Sequence, residues 1–203
     1  MALQQRIRTA VPVGPYSVLL ATLLILLIGG AALADTAHEA VAHNLLLGAA
    51  LLAGIYSVRG RRNFKLIAGA LAIATYTGLW IAELGGPPTA QIVALGAGSG
   101  VFFYAALVIL ASILTRPKIS ADELAGAVSV YLLIGLSGGF IFALIDLLNP
   151  ASVVSTSAAF RLDGAERGLH AINAYIYFSF TCLTTLGFGD LIPASPLARV
   201  LSY

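Results

Sequence analysis

Two stretches of this 203-residue chain hold residue types at spacings that could do chemistry. In the first, His38, Glu39 and His43 nearly spell a metalloprotease helix. That motif needs two imidazoles four residues apart, on one helical face, with the glutamate beside them. Here they stand five apart, which turns the second ring away, and no third ligand is evident, so metal-assisted hydrolysis is disfavoured. Asp190 and Glu39 make no convincing acid/base pair, and no phosphate loop, dinucleotide fingerprint or nucleophile elbow is present. The second stretch is Thr181-Cys182-Leu183-Thr184-Thr185-Leu186-Gly187-Phe188-Gly189-Asp190. Its useful atoms are oxygens, from threonine hydroxyls and from backbone that Gly187 and Gly189 free to take φ > 0. A cation shedding its water needs a ring of replacement oxygens at matching spacing. The plainer reading is a glycine turn between apolar segments, and among 21 glycines a lone Gly-Phe-Gly means little. A doubled threonine stands directly before the glycines, an aspartate directly after them, and an aromatic segment ahead (Tyr175, Tyr177, Phe178, Phe180), which sets this peptide apart from a chance turn.

The decapeptide resembles the signature of potassium channels, Thr-x-x-Thr-Thr-x-Gly-(Tyr/Phe)-Gly-Asp. The resemblance implies a selectivity filter in which the carbonyls of Thr185, Leu186, Gly187 and Phe188, with the Thr185 hydroxyl, replace the water of a permeant K+. Gly189 would shape the outer mouth and Asp190 brace it. Thr181, Thr184, Tyr177 and Phe178 would support the filter from a short pore helix over 171–184. The C-terminal end of that helix would face the cavity, where its dipole favours a cation. One chain supplies one row of oxygens, so a homotetramer in a lipid bilayer is implied, with no cofactor, no catalytic role and no nucleic-acid partner. Phe188 replaces the commoner tyrosine, Tyr177 and Phe178 stand where many relatives carry a tryptophan pair, and Thr181 stands where some carry a glutamate.

The elements that must position this peptide are those of an all-α integral membrane protein. The chain is 59% hydrophobic and 10% charged, with mean hydropathy +0.95, more apolar surface than a soluble chain of this length can hide. Net charge of +2 is too small to argue for nucleic acid, and a single Cys182 excludes an intrachain disulfide. Five apolar runs, about 16–34, 41–58, 66–84, 92–115 and 124–148, each approach the roughly 20 residues a spanning helix needs. Pro117 and Pro150 follow the last two as helix stops. The expected architecture is four peripheral helices in residues 1–118, then a pore unit in 119–203 of outer helix, re-entrant pore helix and filter. Arg6, Arg8, Arg59, Arg61, Arg62, Lys65, Arg116 and Lys118 fall on one side, opposed there only by Asp122 and Glu123. By the positive-inside rule the N-terminus is cytoplasmic and Asp190 is outside, in a multi-pass protein of the bacterial inner (plasma) membrane. Arg6, Arg8, the apolar core over 18–28 and Ala32-Leu33-Ala34 before Asp35 also mimic a signal peptide. The run is long enough to span, and a retained helix is the favoured reading.

Residues 92–115 carry no charge, so the fourth helix lacks the gating charges of voltage sensors, each worth about 2.3 kcal/mol per 100 mV. Gly96, Gly98, Ser99 and Gly100, and Gly135, Ser137, Gly138 and Gly139, read as close-packing surfaces. Residues 149–170 read as a polar outer loop, with His170 as an interfacial residue. The resemblance also implies an inner helix after the filter, which residues 196–203 are too few to provide. A non-selective cation channel, or a non-conducting regulatory subunit, is the alternative to a potassium channel. The native gene is expected to encode at least one further spanning helix after Tyr203; sequencing the parent gene checks this, and a stop codon there refutes it.

Overall fold

A computed structural model describes residues 14–32, 39–57, 62–115, 120–157, 160, 162 and 167–203. Arg6, Arg8, Asp35, His38, Arg59, Arg61, Arg116, Lys118, Arg161, Asp163 and Glu166 lie outside these residues. So does the proposed division at 118/119, while Arg62 and Lys65 are described. Five long helices come first: α1 (Pro15–Ala32), α2 (Glu39–Ser57), α3 (Arg62–Glu83), α4 (Pro88–Leu114) and α5 (Ala121–Leu148). Strand β1 (Val153–Ser155), a 3-10 turn (Gly168–Ala171), helix α6 (Ile172–Leu183), strand β2 (Leu191–Pro193) and helix α7 (Pro196–Leu201) follow.

The protein is overwhelmingly helical, and α3, α4 and α5 are long and apolar enough to cross a membrane. The sequence suggested five such helices. Among the described residues, α1 and α2 offer shorter apolar stretches, Pro15–Gly30 and Val41–Ser57. The sequence also suggested helices alone, whereas β1 and β2 pair antiparallel with Val154 opposite Ile192. Three-residue strands carry too little alternation to be read from the chain.

Local signals explain the helix ends. Pro87 and Pro88 open α4, where a missing N–H costs nothing. At α5, the Glu123 carboxylate reaches back to the Ser120 N–H at 3.0 Å, one arm of a capping box. Asp122, one residue earlier, accepts from the Ser17 N–H at 2.9 Å and its hydroxyl at 3.0 Å. The first turn of α5 thereby satisfies an orphan donor in the first turn of α1.

One contiguous apolar core runs from Tyr16 to Ala198. Helix α4 lies antiparallel along α5, from Gly96 near Leu144 to Gly126 against Ile113. Gly98 admits the Phe140 ring, and the Ser99 and Ser137 hydroxyls meet at 3.2 Å between the two helices. Further along α5, Gly135 accepts the Phe180 ring, Gly138 the Ser179 hydroxyl, and Gly139 the backbone of Ile176. These glycines form the seat of α6, and the Ser179 hydroxyl donates to the Gly135 carbonyl at 2.8 Å. A Cβ on Gly139 would stand 2.8 Å from the Ile176 Cα, a backbone atom that no rotamer change can move. Gly139→Ala is therefore expected to destabilise the fold by about 1–3 kcal/mol. Gly54→Ala, with nothing near its added carbon, should be neutral or stabilising. Thermal unfolding of the two variants in detergent checks the contrast.

Candidate functional site

Helix α6 is capped by Thr184, whose N–H reaches the Phe180 carbonyl at 2.9 Å, and the next residues leave regular structure. Thr185, Gly187 and Gly189 have φ of +58°, +51° and +79°, whereas Leu186 and Phe188 keep negative φ. The left-handed conformation is easy for the glycines and unfavourable for a β-branched threonine. The Leu186 and Gly187 N–H groups both turn back to the Thr181 carbonyl, at 3.0 and 3.3 Å. With the Thr185 N–H on the Cys182 carbonyl at 2.9 Å, the amides of residues 185–187 face the end of α6.

The acceptors behave differently. Thr184's carbonyl takes the Thr185 hydroxyl at 2.7 Å, and Gly189's takes the Thr156 hydroxyl at 2.7 Å. Among the described residues, no hydrogen bond reaches the four carbonyls between them, those of Thr185, Leu186, Gly187 and Phe188. Residues 184–189 are all exposed on the single chain, with the Leu186 and Phe188 side chains 59% and 66% accessible. The Thr185 hydroxyl, expected to face an ion, spends its hydrogen on Thr184 and keeps its lone pairs.

The remaining expected residues divide into two groups. Tyr177 lies beside the peptide: its hydroxyl donates to Asp190 at 2.6 Å and its ring stacks on Phe188 at 6.5 Å, 11° from parallel. Asp190 also accepts from the Leu191 N–H at 3.0 Å. The missing Phe188 hydroxyl thus leaves a ring held by stacking while Tyr177 anchors the aspartate. Phe178 points elsewhere, edge-on to Phe142 of α5 at 4.7 Å, and holds α6 to the core. Thr181 is buried, with its hydroxyl on the Phe178 carbonyl, and Thr184 bonds the Phe180 carbonyl at 2.6 Å. His170 is exposed in the 3-10 turn.

Sequence reasoning missed three further supports. Phe160 stacks on Tyr177 at 5.1 Å, and the Thr156 N–H donates to the Asp190 carbonyl at 2.9 Å. The third is Asp146, fully buried in the last turn of α5. It accepts from the Arg167 guanidinium at 2.7 Å, the Tyr175 hydroxyl at 2.5 Å and the Val153 N–H at 3.0 Å. An anion is unfavourable at a helix C-terminus, so these donors must outweigh both the dipole and the lost hydration. Together the contacts close a circuit around the peptide: α5 to β1 through Asp146, β1 to β2 by strand pairing, and Asp190 to α6 through Tyr177. Tyr175 returns α6 to Asp146. The only sequence signal was an acidic residue placed against the dipole.

Residues 129–203 match the model of a protein family described as "Ion channel". That span takes in most of α5, the segment between α5 and α6, α6, the 184–190 peptide and α7. With the long apolar helices it supports an ion-channel subunit in a membrane, in a family that points to transport rather than catalysis. No curated protein and no solved structure matches the chain.

Removing the buried carboxylate strands three donors at once, the Arg167 guanidinium, the Tyr175 hydroxyl and the Val153 N–H. Asp146→Ala should cost about 3–5 kcal/mol, the usual loss when one partner of a buried ion pair is deleted. Tyr175→Phe removes one bond to a charged group and should cost about 1.5–3 kcal/mol. Equilibrium unfolding in detergent checks the order of the two losses.

Proposed function

We propose that this chain is a subunit of a potassium-selective channel, four copies of which surround one axis in the bacterial inner membrane. The observation that carries the reading is the row of four adjacent carbonyls, 185–188, that accept no hydrogen bond among the described residues. Bare carbonyls at membrane depth are costly unless water or a cation meets them. A row closed by paired carbonyls at both ends has the arrangement of a coordination site. One subunit presents its oxygens from one side only, and a dehydrated K+ needs them all round, which four copies supply.

The surroundings favour a cation. Helix α6 directs its C-terminal end, the negative pole of its dipole, at the start of the row. Thr181 holds the neighbouring amides away from it. Asp190 adds negative charge at the far end, in a position fixed by Tyr177. Residues 88–114 of α4 contain no charged side chain, so opening is not strongly driven by voltage.

The experiment is potassium flux through the native gene product in liposomes, with the reversal potential between potassium and sodium measured in the same protein. A potassium-selective current is expected, and equal permeation of both ions overturns the selectivity. Gly187 has φ +51°, and within one subunit a Cβ there meets no atom within 4 Å. Gly187→Ala therefore tests backbone conformation, at about 1–2 kcal/mol for a left-handed residue with a Cβ. It should abolish flux while the protein still inserts. Normal selective current in that variant overturns the assignment.

A further inference from the structure

Helices α2 and α3 are antiparallel neighbours that leave a cavity of ≈ 720 Å³ between them. Its lining is almost wholly apolar and includes Leu45, Gly48, Leu52, Ile55, Gly69 and Tyr76. Tyr76 lies over Gly48, where a Cβ would come within 2.9 Å of the ring, and closes the space from one side. Leu45, Leu52 and Ile73 are 57%, 70% and 65% exposed, so the other side is open. The sequence assigns no role to this space.

Along α3, residues 62, 65, 69, 72, 73 and 76 recur at the spacing that keeps side chains on one helical face. The groove lining of α3 therefore continues, on the same face, into Arg62 and Lys65. Lys65 lies about 6 Å and Arg62 about 10 Å before Gly69 along the axis. Both are exposed, and among the described residues neither has an ion-pair partner. They occupy the first turn of α3, where free amides and the positive end of the dipole also favour an anion. An apolar slot whose α3 face carries two cations and a helix N-terminus one to two turns beyond its end matches one amphiphile: an acyl chain joined to a phosphate.

We propose that the α2–α3 groove binds an anionic glycerophospholipid, its acyl chain along Ile55, Leu52 and Gly69 and its phosphate on Arg62 and Lys65. Arg62 suits paired phosphate oxygens, and Lys65 supplies a point charge. In the orientation expected from the basic residues this end faces the cytoplasm, where anionic lipid attracts such clusters. A helix from a second copy is the competing occupant of a surface rich in small residues. The pair of cations at one end, and the Tyr76 ring over Gly48, favour the lipid.

Trp80 is the only tryptophan in the chain, so a reporter can replace it. In a Trp80→Phe background, Leu52→Trp places an indole at the groove and Leu107→Trp places one at an exposed position of α4. Each protein is reconstituted in vesicles with brominated phosphatidylglycerol or brominated phosphatidylcholine, and quenching gives their relative affinity. The groove reporter should prefer phosphatidylglycerol about fivefold or more, and the α4 reporter should show no preference. Adding Arg62→Ala and Lys65→Ala should bring the groove reporter to the α4 value. Equal quenching by both lipids at Leu52→Trp overturns the proposal, as does a preference that survives loss of both cations. Disulfide formation between copies through Leu52→Cys, at the yield of a packed interface, assigns the groove to a second copy and also overturns it. The readout is fluorescence rather than flux, so failure here leaves the conduction reading standing, and loss of conduction leaves the lipid result standing.

Discussion

A backbone carbonyl withdrawn from water needs a donor, a dipole or a cation, because an apolar surrounding supplies none of these. Regular helices meet the demand within themselves, which is why α1 to α5 dominate the chain. The peptide after α6 does not. Its Leu186 and Gly187 amides are taken up by the Thr181 carbonyl, its Gly189 carbonyl is tied to the Thr156 hydroxyl, and four oxygens are left over. Most of the surrounding structure keeps those oxygens in place: α6 is seated on the glycines of α5, and Phe160 and Tyr177 are stacked behind Phe188.

The Asp190 end of the peptide is held by charge as well as by packing. Asp146 stands where the dipole of α5 opposes it and where no water reaches it. It is stabilised by three donors from three different segments, so its burial cost turns into geometric definition. Tyr175 and Tyr177 are two residues apart on α6, yet one phenol reaches α5 and the other reaches the residue after Gly189. The short helix is thereby fixed on both flanks, in orientation as well as in depth.

Much of this was legible in the chain. The motif at 181–190 singled out the peptide that leaves regular structure after α6, and hydropathy located α3, α4 and α5 to within a few residues. The glycine runs on α4 and α5 announced close packing, and Gly98, Gly135 and Gly139 do make close contacts. What the sequence hid were long-range polar pairings. Asp146 finds partners 7, 21 and 29 residues away, and read one residue at a time it is simply a charge on the outer side. Thr156 and Phe160 sit in a polar loop with no periodicity to mark them. The two aromatics at 177 and 178 looked equivalent, but neighbours on a helix point in different directions, and only Tyr177 meets the peptide.

Thr185 stands apart from its neighbours: it is β-branched, yet its φ is +58°. That conformation is held against a local preference of about 1–2 kcal/mol and persists only while its surroundings enforce it. If potassium occupies the row, its binding energy contributes to that enforcement, since any ligand selective for one conformer stabilises it. The travelling ion would then also act as a scaffold. Depleting it from both solutions should let Thr185 relax toward an ordinary φ, so the pathway would keep its shape best when it is in use.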